Sequence, residues 1–149
     1  MFYNVVKNRC VVLAFLSTIL MTSCAELDGI WDPIKVDKSK LEFATNGGEQ
    51  LVSMQNYGTW WISGGYEDLR KIDGKAEYKN YVYPTSTDGK DACTYDLLDG
   101  GWYSVTIPDK GRSNTAIVVT KENNTGQPRK ATIIMTVGDA FCHIEIMQQ

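Results

Sequence analysis

The chain has 149 residues, a length that corresponds to about one domain. A composition of 43% hydrophobic and 22% charged residues, with 13 Gly and 4 Pro, is that of ordinary globular material and excludes disordered, collagen-like and coiled-coil organisations. A formal charge of -3 offers no basic face to neutralise phosphates, so no nucleic-acid partner is expected, and a single His argues against a His-rich metal centre.

The first residues divide into three zones. Met1 to Arg9 carry Lys7 and Arg9 with no acidic residue, Cys10 to Met21 are almost all apolar, and Thr22-Ser23-Cys24-Ala25 are small. This order is that of a secretory signal peptide. An apolar run of about a dozen residues makes a helix of roughly 18 Å, short of a hydrocarbon core of about 30 Å, so it is a poor permanent span. Met21-Thr22-Ser23-Cys24 resembles the bacterial lipobox, with Met where Leu is more usual. The resemblance implies a signal peptide over 1–23, cleavage before Cys24, acylation of its thiol and attachment to the membrane through the N-terminal lipid. Ordinary cleavage nearby, with Cys24 incidental, is the plainer alternative. Each buried CH₂ of an acyl chain contributes roughly 0.8 kcal/mol, so several chains together anchor stably.

Loss of 1–23 removes the two positive charges of Lys7 and Arg9 and takes the formal charge from -3 to -5. Residues 24–35 then form a lipidated tether. Its Ala25-Glu26-Leu27-Asp28 resembles the acidic signal that sends Bacteroidetes lipoproteins to the cell surface, which implies an outer-membrane, surface-exposed address; on the plainer reading Glu26 and Asp28 are solvated tether residues.

From Leu41 onward, short alternating segments are separated by Gly and Asn/Asp turns, the pattern of antiparallel strands and hairpins. Leu41-Glu42-Phe43 alternates, Asn46-Gly47-Gly48 turns, Leu51 to Asn56 runs on, and another strand starts near Trp60-Trp61-Ile62. Tyr103, Val105 and Ile107 share a face opposite Ser104 and Thr106. Ala131, Ile133, Met135 and Val137 share another, and the last strand places Cys142, Ile144 and Ile146 opposite His143 and Glu145. Turns are expected at Pro108-Asp109-Lys110-Gly111, Asn123 to Pro128 and Gly138-Asp139. No segment has a helical period. Seven or more short strands over about 110 residues predict an all-β antiparallel β-sandwich.

The order of these pieces resembles a known family. Leu41-x-Phe43, Gly47-Gly48 before Leu51-Val52, Trp61-x-Ser63, Trp102 to Pro108 with Gly111, Thr115 to Val119, Asn123-Asn124, Arg129-x-Ala131-Thr132-Ile133 and Ile144-x-Ile146-x-Gln148 look like the BACON domain, the Bacteroidetes-associated carbohydrate-binding often N-terminal module. The resemblance covers 36–149 and implies an immunoglobulin-like sandwich on an exported protein, with carbohydrate as ligand. One departure is the separation of Trp61 from Trp102 by residues 62–101, which predicts an inserted hairpin or long loop in a region where function tends to reside. It contains Tyr66, Tyr78, Tyr81, Tyr83, Tyr95 and Cys93.

Among the aromatic residues, Trp61 and Trp102 are expected to serve packing, and Trp60 to point to the opposite face. Tyr81-Val82-Tyr83 puts two Tyr on one strand face about 7 Å apart, close to Tyr78, so Tyr78, Tyr81 and Tyr83 are the candidate glycan-binding residues. Structural edge-strand packing is the plainer alternative. A glycan platform is expected to hold them coplanar and exposed beside amides or carboxylates. Cys93 and Cys142 are either a disulfide tying insert to sandwich or two separate buried thiols. Glu67, Asp68, Asp96 and Asp99 read as loop charges rather than as a glycosidase pair. His143 lacks a partner at ligand spacing, and Asp88-Gly89-Lys90-Asp91 lacks the oxygens of a Ca²⁺ loop. No catalytic residue, metal site or cofactor is therefore expected. The sequence reads as a non-enzymatic surface lipoprotein that binds or presents a polysaccharide or glycoprotein glycan. A structural spacer or protein-interaction module of an outer-membrane assembly is the alternative.

Overall fold

Alternation of apolar and polar residues produces ten strands in the computed structural model, which describes residues 31–73, 75–88 and 95–149. Residues 1–30, with the expected signal peptide, Cys24 and the first part of the expected tether, and Cys93 lie outside the described residues. The strands are β1 (Lys40–Phe43), β2 (Gly48–Ser53), β3 (Trp61–Tyr66), β4 (Asp68–Ile72), β5 (Lys75–Lys79), β6 (Leu97–Asp99), β7 (Tyr103–Thr106), β8 (Thr115–Thr120), β9 (Arg129–Thr136) and β10 (Phe141–Gln148). They build one sheet in the order β1-β10-β9-β3, a second in the order β2-β8-β7-β6, and the separate hairpin β4-β5. The protein is an all-β sandwich.

Inward-facing residues of the two four-stranded sheets form one core. Leu41, Val52, Ile62, Val105, Val118, Ile133, Ile144 and Ile146 are all fully buried in it. The last strand alternates as expected, with Ile144 and Ile146 buried and His143 exposed. One pairing departs from a purely antiparallel sandwich: β1 runs parallel to β10, with Leu41 opposite Ile146. The tight turn after β1 sends the chain directly into the other sheet. The edge place beside β10 is thus filled by a strand remote in sequence, and a parallel pair needs no hairpin between its members. That turn needs Gly47, whose φ is +75° and whose Cβ would lie 2.3 Å from the Thr120 carbonyl oxygen.

Two sequence expectations are corrected. Ile62 is fully buried and Trp61 half-buried, so strict alternation puts Trp60 inward, where it is 1% exposed and plugs the core. Trp60, rather than Trp61, is the packing residue at this strand. The insert is also narrower than 62–101. Ile62 to Tyr66 belong to β3, which pairs with β9, and Leu97 to Asp99 form β6, which pairs with β7. Buried Ile62 and Leu98 belong to the core, so the added segment runs from Glu67 to Asp96. It leaves the first sheet as the hairpin β4-β5, then returns along both sheet edges. Gly65 and Val82 exchange backbone hydrogen bonds at 3.1 and 2.8 Å, and Thr85 donates to the Leu97 carbonyl at 2.7 Å. The segment therefore bridges the edge of one sheet to the edge of the other.

Asn123 begins the Asn-Asn-Thr sequence of the turn before β9, and it is 3% exposed. Its amide donates to the Gln127 and Gln149 carbonyls at 2.8 and 3.0 Å, holding the turn against the chain's last residue.

Candidate functional site

The site is built on β3, whose sequence Trp61-Ile-Ser-Gly-Gly-Tyr66 departs from simple alternation at a bulge between Ile62 and Gly64. The bulge turns Gly64 to the outer face and Gly65 to the core. Both glycines are required by close approach. A Cβ on Gly64 would lie 2.1 Å from the Tyr81 hydroxyl, and one on Gly65 would lie 2.7 Å from the Tyr103 hydroxyl. Tyr81 thus lies directly on the outer surface of β3, where its hydroxyl donates to the Ser63 carbonyl at 3.2 Å.

Three further tyrosines complete a continuous ladder. Tyr66 and Tyr78 have ring centroids 4.8 Å apart, Tyr78 and Tyr81 5.7 Å, and Tyr81 and Tyr83 4.9 Å. Tyr66 is buried at its base, whereas Tyr78 is 44% and Tyr83 79% exposed. Successive rings are tilted by 55°, 60° and 66°, so Tyr78, Tyr81 and Tyr83 meet edge to face and do not form the coplanar platform expected from the sequence. The reason is spacing: centroids about 5 Å apart favour the quadrupole attraction of edge on face over side-by-side coplanarity. Burial, and then the neighbouring Tyr83 and Tyr78 hydroxyls, push the Tyr81 pKa above its ordinary value.

Glu67 fixes the ladder to the sandwich. One carboxylate oxygen accepts from the Trp102 indole N–H at 2.9 Å, and the other accepts from the Asn80 amide. The Arg129 guanidinium lies 4.5 Å over the Trp102 ring and donates through Nε to Gln148 at 2.9 Å. Gln148 in turn donates to the Ala44 and Lys121 carbonyls. The base of the hairpin is thereby tied to both sheets. Behind it the Tyr103 hydroxyl is buried without a partner, and burial, followed by the charge of Glu67, pushes its pKa up to about 12.

The remaining candidates are spread apart. Asp96 is buried and accepts from the backbone N–H of Thr87 at 2.7 Å and from its hydroxyl, so it anchors the loop that follows the bridge. Asp99 accepts from the Gly101 N–H at 2.9 Å within its own turn. Cys142 is half-buried with a free thiol, whose pKa burial pushes up to about 11; the other member of the candidate bridge, Cys93, is outside the described residues. No group of three or more His, Cys, Asp or Glu among the described residues is placed to hold a metal ion.

Sequence reasoning found Tyr78, Tyr81 and Tyr83, which the fold brings together. It missed Tyr66 as their base, Glu67 and Asn80 as the polar clamp, and the outer-face residues Ile134 and Phe141. The period-two pattern of β9 places Ile134 on the solvent side, but only the pairing of β9 with β3 sets it opposite Gly64, under the Tyr81 hydroxyl.

No protein-family model matches the chain, and no curated protein sequence does. Among solved structures, the chain is similar to a protein from Bacteroides thetaiotaomicron determined by NMR, with 28% identity and a TM-score of 0.55 over 85% of this chain and 95% of that one. It also aligns with a Bacteroides ovatus GH5 xyloglucanase in complex with a XXXG heptasaccharide, at 17% identity and a TM-score of 0.47, over 78% of this chain and 18% of that one. The second likeness is too slight to carry any functional point.

Proposed function

We propose that this protein is a non-enzymatic, surface-exposed lipoprotein of the BACON type that binds or presents glycan through Tyr78, Tyr81 and Tyr83. The observation that carries the reading is the tyrosine ladder itself. Two strongly exposed rings stand on a rigid sheet edge, with the Asn80 amide and Glu67 carboxylate clamped beside them. Pyranose C–H groups pack on aromatic faces while amides and carboxylates take up hydroxyls, and sites on rigid elements keep their geometry. The tilt of the rings favours a soluble, twisted chain over a flat crystalline surface, which needs coplanar rings. Similarity to a Bacteroides protein over nearly all of that protein supports the bacterial setting.

Electrophoresis in gels cast with soluble polysaccharides tests this, using protein without residues 1–24, which keeps the whole compact unit Trp31–Gln149. The intact protein is expected to be retained by at least one gel, and Tyr81→Ala with Tyr83→Ala to abolish that retention. A second reading, a spacer or protein-interaction module, is favoured by the outer face of the second sheet, where Leu51 and Val119 are exposed beside half-buried Ile117. Retention by no gel favours that reading, whereas retention indifferent to the tyrosines places the glycan site elsewhere on the protein.

A further inference from the structure

We infer that the glycan site extends from the tyrosine ladder across the outer face of the first sheet to Phe141 and His143, so that its ligand is an oligosaccharide chain laid across the strands. This rests on reading the ladder as a glycan site. Strand register places the extension. Gly64, over which the Tyr81 hydroxyl sits, pairs with Ile134, and Ile134 pairs with His143. In the next outward row, Trp61 pairs with Thr136, and Thr136 with Phe141. With strands about 4.8 Å apart, β10 lies about 10 Å from β3, which leaves a span longer than one sugar between Tyr81 and His143.

Side chains along these two rows alternate in the way a carbohydrate requires. Half-buried Ile134 forms an apolar floor, Phe141 offers a second ring at 54% exposure, and the exposed His143 imidazole brings one donor and one acceptor when neutral. The third row is closed to a ligand. Tyr66 and Thr132 are buried there, with Tyr78 packed on Tyr66, and Glu145 lies 3.3 Å from Lys130 and 3.9 Å from Lys40. A chain leaving the ladder is therefore directed toward His143 and Phe141. The outer face of the second sheet provides a built-in control, since Leu51 and Val119 are exposed there without any ring.

The test uses the same gels, cast with soluble α-1,4-glucan, β-1,3-glucan, galactomannan and arabinoxylan. On the polysaccharide that retains the protein in a Tyr83-dependent manner, Phe141→Ser and His143→Gln are each expected to weaken retention about 3- to 10-fold, the range of a lost ring or hydrogen-bond contact, while Leu51→Ser leaves it unchanged. Titration calorimetry with oligosaccharides of that linkage is expected to show a hexasaccharide binding at least about tenfold more tightly than a disaccharide. Because Phe141 and His143 are exposed, unchanged unfolding midpoints are expected to confirm that these variants fold. Tyr83-dependent retention that ignores the Phe141→Ser, His143→Gln double variant overturns the extension and leaves the ladder reading standing. Loss of all Tyr83 dependence on every gel overturns both.

Discussion

At the scale of single residues, Glu67 holds more together than its place at a strand end suggests. Its carboxylate accepts from Trp102 on one side and Asn80 on the other, so it joins the sandwich to the hairpin base. Glu67→Ala leaves a half-buried indole N–H without its partner and is expected to cost about 1 to 3 kcal/mol in a urea titration, whereas Glu67→Gln keeps an acceptor and is expected to cost less. Tyr103 presents the opposite case, a buried hydroxyl with nothing to bond. Removing it leaves no orphaned partner, so Tyr103→Phe is expected to be neutral or stabilising at pH 7. Its alkaline effect has a definite sign. A folded-state pKa of about 12 lies above the ordinary tyrosine value of about 10, so the stabilisation of the neutral phenol is complete below pH 10 and is lost as pH rises through 12. Urea titrations at pH 7 and 11 are expected to show a smaller alkaline loss for Tyr103→Phe than for the parent, by about 1 kcal/mol.

At the scale of elements, the added segment has two parts with different standing. The hairpin β4-β5 leaves and returns at neighbouring points, since the Glu67 N–H donates to the Lys79 carbonyl at 3.1 Å. Replacing 68–79 by a two-residue Gly-containing turn is therefore expected to leave cooperative unfolding while removing Tyr78 from the ladder. Replacing all of 62–101 removes β3, β6 and the buried Ile62 and Leu98, and is expected to yield no folded protein by circular dichroism. The last strand offers a matched pair of substitutions. Ile144→Ala empties a fully buried site and is expected to cost about 2 to 5 kcal/mol, while exposed His143→Ala is expected to cost little. Equal costs in a denaturant titration would contradict the register of β10.

For the whole molecule, the proposed function depends on the lipid anchor expected at Cys24. Replacing Cys24 by Ala is expected to leave the protein without fatty acid and to release it from the outer-membrane fraction; lipid labelling of that variant would defeat the lipobox reading. Fold class was legible in advance because a sandwich strand must bury every second side chain, and that period is written locally in Tyr103 to Ile107, Ala131 to Val137 and Cys142 to Ile146. Tyr78, Tyr81 and Tyr83 were legible as a candidate cluster because three of one aromatic type fall within six residues, with Tyr81 and Tyr83 on one face of an extended strand. The parity of Trp60 was not, because adjacent tryptophans satisfy either phase until Ile62 is known to face inward. The limits of the added segment were equally hidden, since Ile62 and Leu98 become core only when β9 and β7 lie beside them. Ring tilt, the Glu67 clamp and the register that sets Ile134 opposite Gly64, under the Tyr81 hydroxyl, were decided by tertiary structure alone. Local sequence determines which face of a strand is apolar, whereas the neighbour across that face comes from pairings between residues as far apart as Lys40 and Glu145, which no local pattern encodes.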